Sequence, residues 1–510
     1  MMLAEIPAVL VLNPRDNVGV VPANADAGRA LVNGVVAAER IPRGHKVAIV
    51  PIAEGAPVLK YGQIIGYATK AVRPGEHVHL QNLAIVDVAL QHEFCVDNAQ
   101  PVMVPEAERR TFDGYDRGNG RIGTRNYIGV LSTVNCSATV SRYVAEHYAR
   151  KFREAGHDNI DGVVALTYGG GCAINMKSEG GRILTRTFKG YARNPNFGGI
   201  LMIGLGCETF QYGPLIEEAG LEEGRTFRKM MIQEQGGTKK TIEAACAMID
   251  DMLPDVGRIR RTPQPLSGIK LALECGGSDG YSGISANPAL GVASDLLVKE
   301  GATTVLAETP EIYGAEHLLT RRAARPEVAQ KLLSRIEWWR DYTAKNDAEL
   351  NNNPSHGNKA GGLTTILEKS LGAVAKGGSM PLNAVYEYAE EVTEPGFVFM
   401  DTPGYDPAAV TGQIAGGCNL VAFTTGRGSV SGYKPAPCIK IATNTPMYEH
   451  IRDDMDINCG TIVDGTETIE QAGRRIFDFV IETASGRKTA SEAYDYGDNE
   501  FVPWQVGAIT

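Results

Sequence analysis

Three cysteines stand where chemistry could be done. Ile128 to Thr133 runs into Asn135-Cys136, Ile200 to Leu205 into Gly206-Cys207-Glu208, and Ile269 to Glu274 into Cys275-Gly-Gly-Ser-Asp279. If these apolar runs are parallel strands, their carboxyl ends share one edge of a sheet, where α/β folds place ligands. Thiolates converging there from remote segments would suit iron or zinc rather than magnesium or calcium, so Cys136, Cys207 and Cys275 are candidate metal ligands. The competing reading is that each is a small apolar residue packed where backbone meets backbone. Cys172, after Val163 to Thr167 in Tyr168-Gly-Gly-Gly-Cys172, is similarly placed. The nine cysteines include no CxxC pair, so neither a disulfide scaffold nor a zinc ribbon is indicated.

Other residue types suit proton transfer and anion recognition. Asp279 closes a glycine-rich turn that could present backbone N–H groups to an anion, and its carboxylate could accept a proton or bind a metal. His356-Gly-Asn-Lys-Ala-Gly-Gly362 offers an imidazole at His356, an amide at Asn358 and an ammonium at Lys359, a set suited to a polyhydroxy carboxylate. Arg427, between glycines in Thr425-Gly-Arg-Gly428, could clamp a carboxylate through two parallel hydrogen bonds. His45 and Lys46 lead into a strand of the N-terminal region. Each has a plainer alternative: a solvated loop around His356, a surface arginine at 427, a structural role for His45 and Lys46.

The elements that would position these groups follow from patterning. At 510 residues, more than one hydrophobic core is expected. Residues 1–92 read as short strands broken by glycine and proline, 93–120 as a linker, and 121–265 and 266–510 as two α/β domains with mostly parallel sheets. Helices are expected over Ala138 to Arg153 and Thr241 to Met252. Further strands are expected over Thr304 to Ala307, Asn419 to Thr424 and Ile439 to Ala442. The stretch 351–362 reads as a long polar loop, and the linker would let the N-terminal module act as a lid.

The composition, 43% hydrophobic and 22% charged, fits a soluble globular enzyme. No apolar run reaches the about 18 residues of a membrane helix, and the first residues lack a signal-peptide pattern, so a cytoplasmic protein is expected. A net charge of -10 disfavours a nucleic-acid partner. Neither a Walker A loop nor a Rossmann glycine motif in its proper context appears.

Taken in order, these segments resemble the altronate/galactarate dehydratase family. Asp16-Asn-Val18, Ile41-Pro-Arg-Gly-His-Lys-Val47 and Lys60-Tyr-Gly-Gln-Ile-Ile-Gly-Tyr67 look like the SAF-type β-clip domain that opens its members. Gly123-Thr-Arg-Asn126, Asn194-Pro-Asn196, Gly204-Leu-Gly-Cys-Glu208, Glu274-Cys-Gly-Gly-Ser-Asp279, Gly357-Asn-Lys-Ala-Gly-Gly362, Thr425-Gly-Arg-Gly428 and Asp456-Ile-Asn458 follow the rest of the pattern. One departure is Tyr168-Gly-Gly170, where the family commonly has Tyr-Gly-Cys. Leu318-Leu-Thr-Arg-Arg322 and Ile336-Glu-Trp-Trp339 look more like galactarate dehydratases, whereas Tyr313-Gly-Ala-Glu316 looks more like altronate dehydratases.

The resemblance implies loss of water from a hexarate or hexonate, with galactarate favoured, to give a keto-deoxy acid. It implies divalent iron or manganese, with an iron-sulfur cluster as the variant that cysteines would suggest. Asp279, His356 and His45 are then the expected catalytic groups, and Lys359, Arg427, Lys46 and Asn358 the substrate contacts. The expected partner is the small sugar acid, within a homo-oligomer, a dimer, and with neither nucleic acid nor membrane. A sulfo-lyase acting on a hydroxy-sulfonate and a non-catalytic sugar-acid sensor are the alternatives.

Overall fold

The computed structural model describes residues 7–86, 91–155 and 159–507; the opening segment 1–6, read above for a leader, lies outside it. Short antiparallel strands make up the N-terminal module. One three-stranded sheet joins Val18–Val20, Lys46–Ala48 and His77–Val78, and a second joins Pro57–Lys60, Gln63–Ala68 and Leu83–Ala84.

The second domain is a four-stranded parallel sheet ordered Gly162–Leu166, Tyr127–Ser132, Phe197–Gly204, Phe227–Met231. The C-terminal domain is built on a seven-stranded parallel sheet ordered Leu382–Tyr386, Gly396–Met400, Thr303–Leu306, Lys270–Cys275, Leu420–Thr425, Cys438–Ala442, Ile457–Asn458. Its central strands are apolar nearly throughout because helices cover both faces; every residue of Leu420–Thr425 and of Gly396–Met400 is buried. The expected helices form as Asn135–Ala155 and Thr238–Val256. Among the described residues, no helix is long and apolar enough to cross a membrane.

Three expectations change. Within the proposed linker 93–120, Thr111–Asp116 is a strand, paired antiparallel with Thr262–Pro265 and with Ile122–Gly123. Burial of Phe112 and Tyr115 drives this, which glycines and prolines nearby conceal in the sequence. The polar stretch 351–362 is not one loop. It holds a helix, His356–Ala360, that Ser355 and Asn358 cap reciprocally. Nor does the N-terminal module hang free as a lid, since its Val18, Ala48, Ile65 and Val78 belong to the same apolar core as Leu271, Leu290, Phe397 and Val480 of the C-terminal domain.

Several segments that carry the resemblance weld domains together rather than line a site. Asn194 donates to the carbonyls of Ile414 and Cys418, and Asn196 to those of Asn419 and Pro435. Arg125, 1% exposed, makes a two-pronged ion pair with Glu492.

Candidate functional site

Five loops meet where the N-terminal module seats on the carboxyl end of the seven-stranded sheet. They are Arg43 to Lys46, the turn after Lys270–Cys275, the helix His356–Ala360 with its exit, the turn after Leu420–Thr425, and the turn after Cys438–Ala442. Glycines permit the approach. A side chain at Gly280 or Gly362 would collide with the carbonyl of Gly44, and Gly280 N–H donates to Gly361 O at 2.8 Å.

Asp279 lies at the centre of this junction, 4% exposed. Oδ1 accepts from the N–H of Tyr281 at 3.1 Å, and Thr443 Oγ1 and Asn444 Nδ2 approach Oδ2, each at 3.1 Å. Burial raises this carboxyl above the usual aspartate range, while hydrogen bonds from Thr443 and Ser282 hold it back. A side chain at Gly426 would strike the Asp279 carboxylate, so the Thr425 to Gly428 turn closes directly over it. Arg427 lies alongside: a Cβ at Gly361 would meet Asp279 Cβ and Arg427 Cδ at 3.0 and 3.2 Å. Arg427 is exposed and Lys359 half-buried, and among the described residues neither side chain is tied to a carboxylate.

The remaining expected residues divide. His356 is exposed at the start of its helix. Asn358 is a structural residue, since its amide donates to Ser278 O at 2.8 Å and its oxygen accepts from Ser355 N–H. Lys46 is also not free for substrate. Its ammonium is fully buried, 2.6 Å from Gly362 O and 2.8 Å from Glu368 Oε2, and Lys60 reaches Glu368 Oε1 at 2.8 Å.

His45 brings two residues that sequence reading missed. His45 Nδ1 lies 3.0 Å from His77 Nε2, His45 Nε2 lies 3.2 Å from Ala360 O, and the ring centroids of His45 and His79 are 4.9 Å apart. One ring nitrogen from each of His45, His77 and His79 falls within 4.8 Å of the others. Burial, then the positive charge of neighbouring groups, pushes His77 down to about 4 and His79 to about 3, so these two imidazoles are neutral at pH 7. The signal was His77-Val-His79: a two-residue spacing puts both rings on one face of a strand.

The three expected cysteine ligands do not assemble. Among the described residues, the groups with metal-ligand spacing are His45/His77/His79 and Cys275/Glu308/Glu311, and neither contains Cys136 or Cys207. Cys136 and Cys207 are exposed on the second domain, with Cys172, while Cys275 is sealed in the C-terminal domain. Lys376 Nζ sits 2.9 Å from the Cys275 sulfur and 3.6 Å from Glu308, and Lys369 lies 2.6 Å from Glu311. Ammonium groups thus already balance part of this cluster's charge. Burial pushes the Cys275 thiol up to about 12.

Asp456 and Asn458 line a separate polar cleft of about 540 Å³. There Asp456 is spent on the backbone N–H groups of Lys440 and Ala490, and Glu467 closes on Arg475 at 2.6 Å.

Three family models match the chain in succession: the altronate/galactarate dehydratase SAF domain over residues 7–85, the D-galactarate dehydratase/altronate hydrolase second domain over 114–257, and the D-galactarate/altronate dehydratase C-terminal domain over 266–509. Among curated relatives, galactarate dehydratase (L-threo-forming) of Escherichia coli (strain K12) is 36% identical, covering 91% of this chain and 89% of its own. Altronate dehydratase of Bacillus subtilis (strain 168) is 35% identical over 89% of this chain and 90% of its own. The (2R)-sulfolactate sulfo-lyase subunit beta of Chromohalobacter salexigens is 32% identical over 78% of this chain and 98% of its own.

Proposed function

Because the chain belongs to the galactarate/altronate dehydratase family and is a sugar-acid dehydratase, we propose that it acts on a hexarate of the galactarate type at the junction around Asp279. The observation that carries this is the pairing of a buried, raised carboxylate with cations that no carboxylate holds among the described residues, Arg427 beside it and Lys359 on the neighbouring helix. A substrate with a carboxylate at each end can engage both cations, and a monocarboxylate only one.

In this reading Arg427 and Lys359 bind and orient the substrate carboxylates. Asp279 takes the proton from the carbon next to one of them, a task that suits a carboxyl raised above the ordinary aspartate range. His356, exposed and without a partner among the described residues, gives a proton to the departing hydroxyl. The glycine-lined seam between Gly44, Gly280 and Gly362 limits water at the reacting carbons. Divalent iron, the metal that the resemblance implies, would supply positive charge that stabilises negative charge developing on the substrate. The neutral imidazoles of His45, His77 and His79 fit such an ion in donor type and spacing. The same reading makes the protein a cytoplasmic homodimer with no nucleic-acid partner, in keeping with its net charge of -10 for the last point.

The test is parallel turnover of galactarate, altronate and sulfolactate by anaerobically purified protein with ferrous iron, followed by keto-acid detection and, for sulfolactate, sulfite release. Preference for galactarate is expected. Preference for altronate would replace the hexarate assignment, and sulfite release would replace the sugar-acid one.

A further inference from the structure

We infer that the N-terminal module carries a complete protein ligand set for a first-row divalent metal, made of His45, His77 and His79, and that the C-terminal domain braces it through the carbonyl of Ala360. The inference rests on the dehydratase reading for what the metal does, but not for where it binds.

Strand geometry brings the three rings together. His77–Val78 pairs antiparallel with Lys46–Ala48, with Val47 opposite His77 and Lys46 opposite Val78. His77 and His79 share a face because they are two residues apart, and His45 immediately precedes the partner strand on the side that meets them. Asn82 fixes the backbone beneath: its amide donates to His77 O at 2.8 Å and its oxygen accepts from His79 N–H at 2.9 Å.

The tautomer of His45 is also set for coordination. Ala360 O can only accept, so the His45 nitrogen 3.2 Å away, Nε2, carries the hydrogen. In the neutral ring this leaves Nδ1 with a bare lone pair turned toward His77. A ligand imidazole held from behind by a backbone carbonyl is the usual outer-shell arrangement at a metal centre. His79 Nδ1 is enclosed without a hydrogen-bond partner, which is costly unless something occupies its lone pair or takes its proton.

The donor set selects the class of ion. Three neutral nitrogens suit iron, cobalt, nickel or zinc, and are poor ligands for magnesium or calcium, which take oxygen. Three protein ligands leave positions open, as catalytic rather than structural sites do. From the C-terminal domain, Ala360 O, in the helix that carries Lys359, meets the back of the His45 ring.

The experiment uses the full-length protein, stripped by chelator and loaded anaerobically with ferrous iron, and separately with cobalt(II). X-ray absorption on the wild type reads the donors directly. Nitrogen neighbours with imidazole outer-shell scattering are expected, and a first shell containing sulfur would overturn the assignment. One bound equivalent is expected in wild type, Cys136→Ser and Cys207→Ser, and none in His77→Ala or His79→Ala. Full metal retention by both folded histidine variants would also overturn it. If those variants misfold, the absorption measurement on wild type still decides. Turnover is measured apart from binding, so a metal held by imidazole in a protein inactive on sugar acids would count against the dehydration and not against the site.

Discussion

Glu368 Oε2 lies 2.8 Å from the ammonium of Lys46, and both side chains are wholly buried. The pair crosses from the C-terminal domain to the N-terminal module, and Lys60 joins it through the other carboxylate oxygen. Two ammoniums thus depend on one carboxylate for charge balance, with Thr364 N–H and Oγ1 satisfying the rest of Oε2. Glu368→Gln should leave a buried, uncompensated charge and cost about 3–5 kcal/mol. Thermal unfolding together with limited proteolysis between the modules checks this. A variant as stable and as protease-resistant as wild type would show that the pair does not hold the junction.

The same carboxylate predicts an acid limit to stability. The ammoniums of Lys46 and Lys60 hold Glu368 well below its ordinary value of 4.5 in the folded state, although burial alone would raise it. The unfolded chain therefore binds a proton that the folded chain does not. The stabilisation is fully present above that ordinary value and is lost as pH falls below it. Urea midpoints compared at neutral pH and at about pH 4 should fall for wild type and fall less for Glu368→Gln. Equal falls in both proteins would assign the acid sensitivity to other groups.

Asp279→Asn keeps the shape of a buried group at the junction and removes its capacity to take a proton. Turnover should drop by roughly a hundredfold to ten-thousandfold, with unfolding temperature little changed. In wild type the acid limb of the pH–rate profile should lie above the ordinary aspartate range, because burial raises this carboxyl. That limb should vanish from the residual rate of the variant. Its persistence would mean that another group carries the proton.

Arg427→Ala tests the two-carboxylate reading. Loss of a charge-assisted hydrogen bond is worth about 1.5–3 kcal/mol, or roughly a tenfold to hundredfold change. Galactarate kcat/KM should fall by that factor, and altronate kcat/KM by less, provided Lys359 holds its single carboxylate. Steady-state kinetics with both sugar acids decides the point, and equal losses would remove Arg427 from the discrimination.

Cysteine substitutions should separate by domain. Cys275→Ala takes the sulfur away from Lys376 in a sealed interior, which should cost about 1–3 kcal/mol. Cys136→Ser and Cys207→Ser, both exposed, should stay within about 0.5 kcal/mol of wild type. Differential scanning calorimetry of the three variants reads this order. A stable Cys275→Ala would indicate that Lys376 is adequately balanced by its carboxylate neighbours.

Periodicity and turn residues determined the central strands and long helices by themselves, but not the strand Thr111–Asp116 or the short helix His356–Ala360. Runs such as Leu271 to Leu273 and Val421 to Phe423 read as central parallel strands because burial on both faces demands apolar residues at every position. The glycine turns after those strands marked where Asp279 and Arg427 would project, since strand ends are local features. Convergence is not local, and only the tertiary structure decided it. Nothing in the spacing of Cys136, Cys207 and Cys275 says that two of them stay exposed on one domain while the third is sealed inside another. That depends on how the domains pack. Lys46, read as a substrate contact, is instead drawn into the interior by Glu368, 322 residues away. His77 and His79 carried a strand spacing legible in advance, but their value as a pair appeared only when the module's sheet set His45 beside them and the C-terminal helix supplied the carbonyl of Ala360.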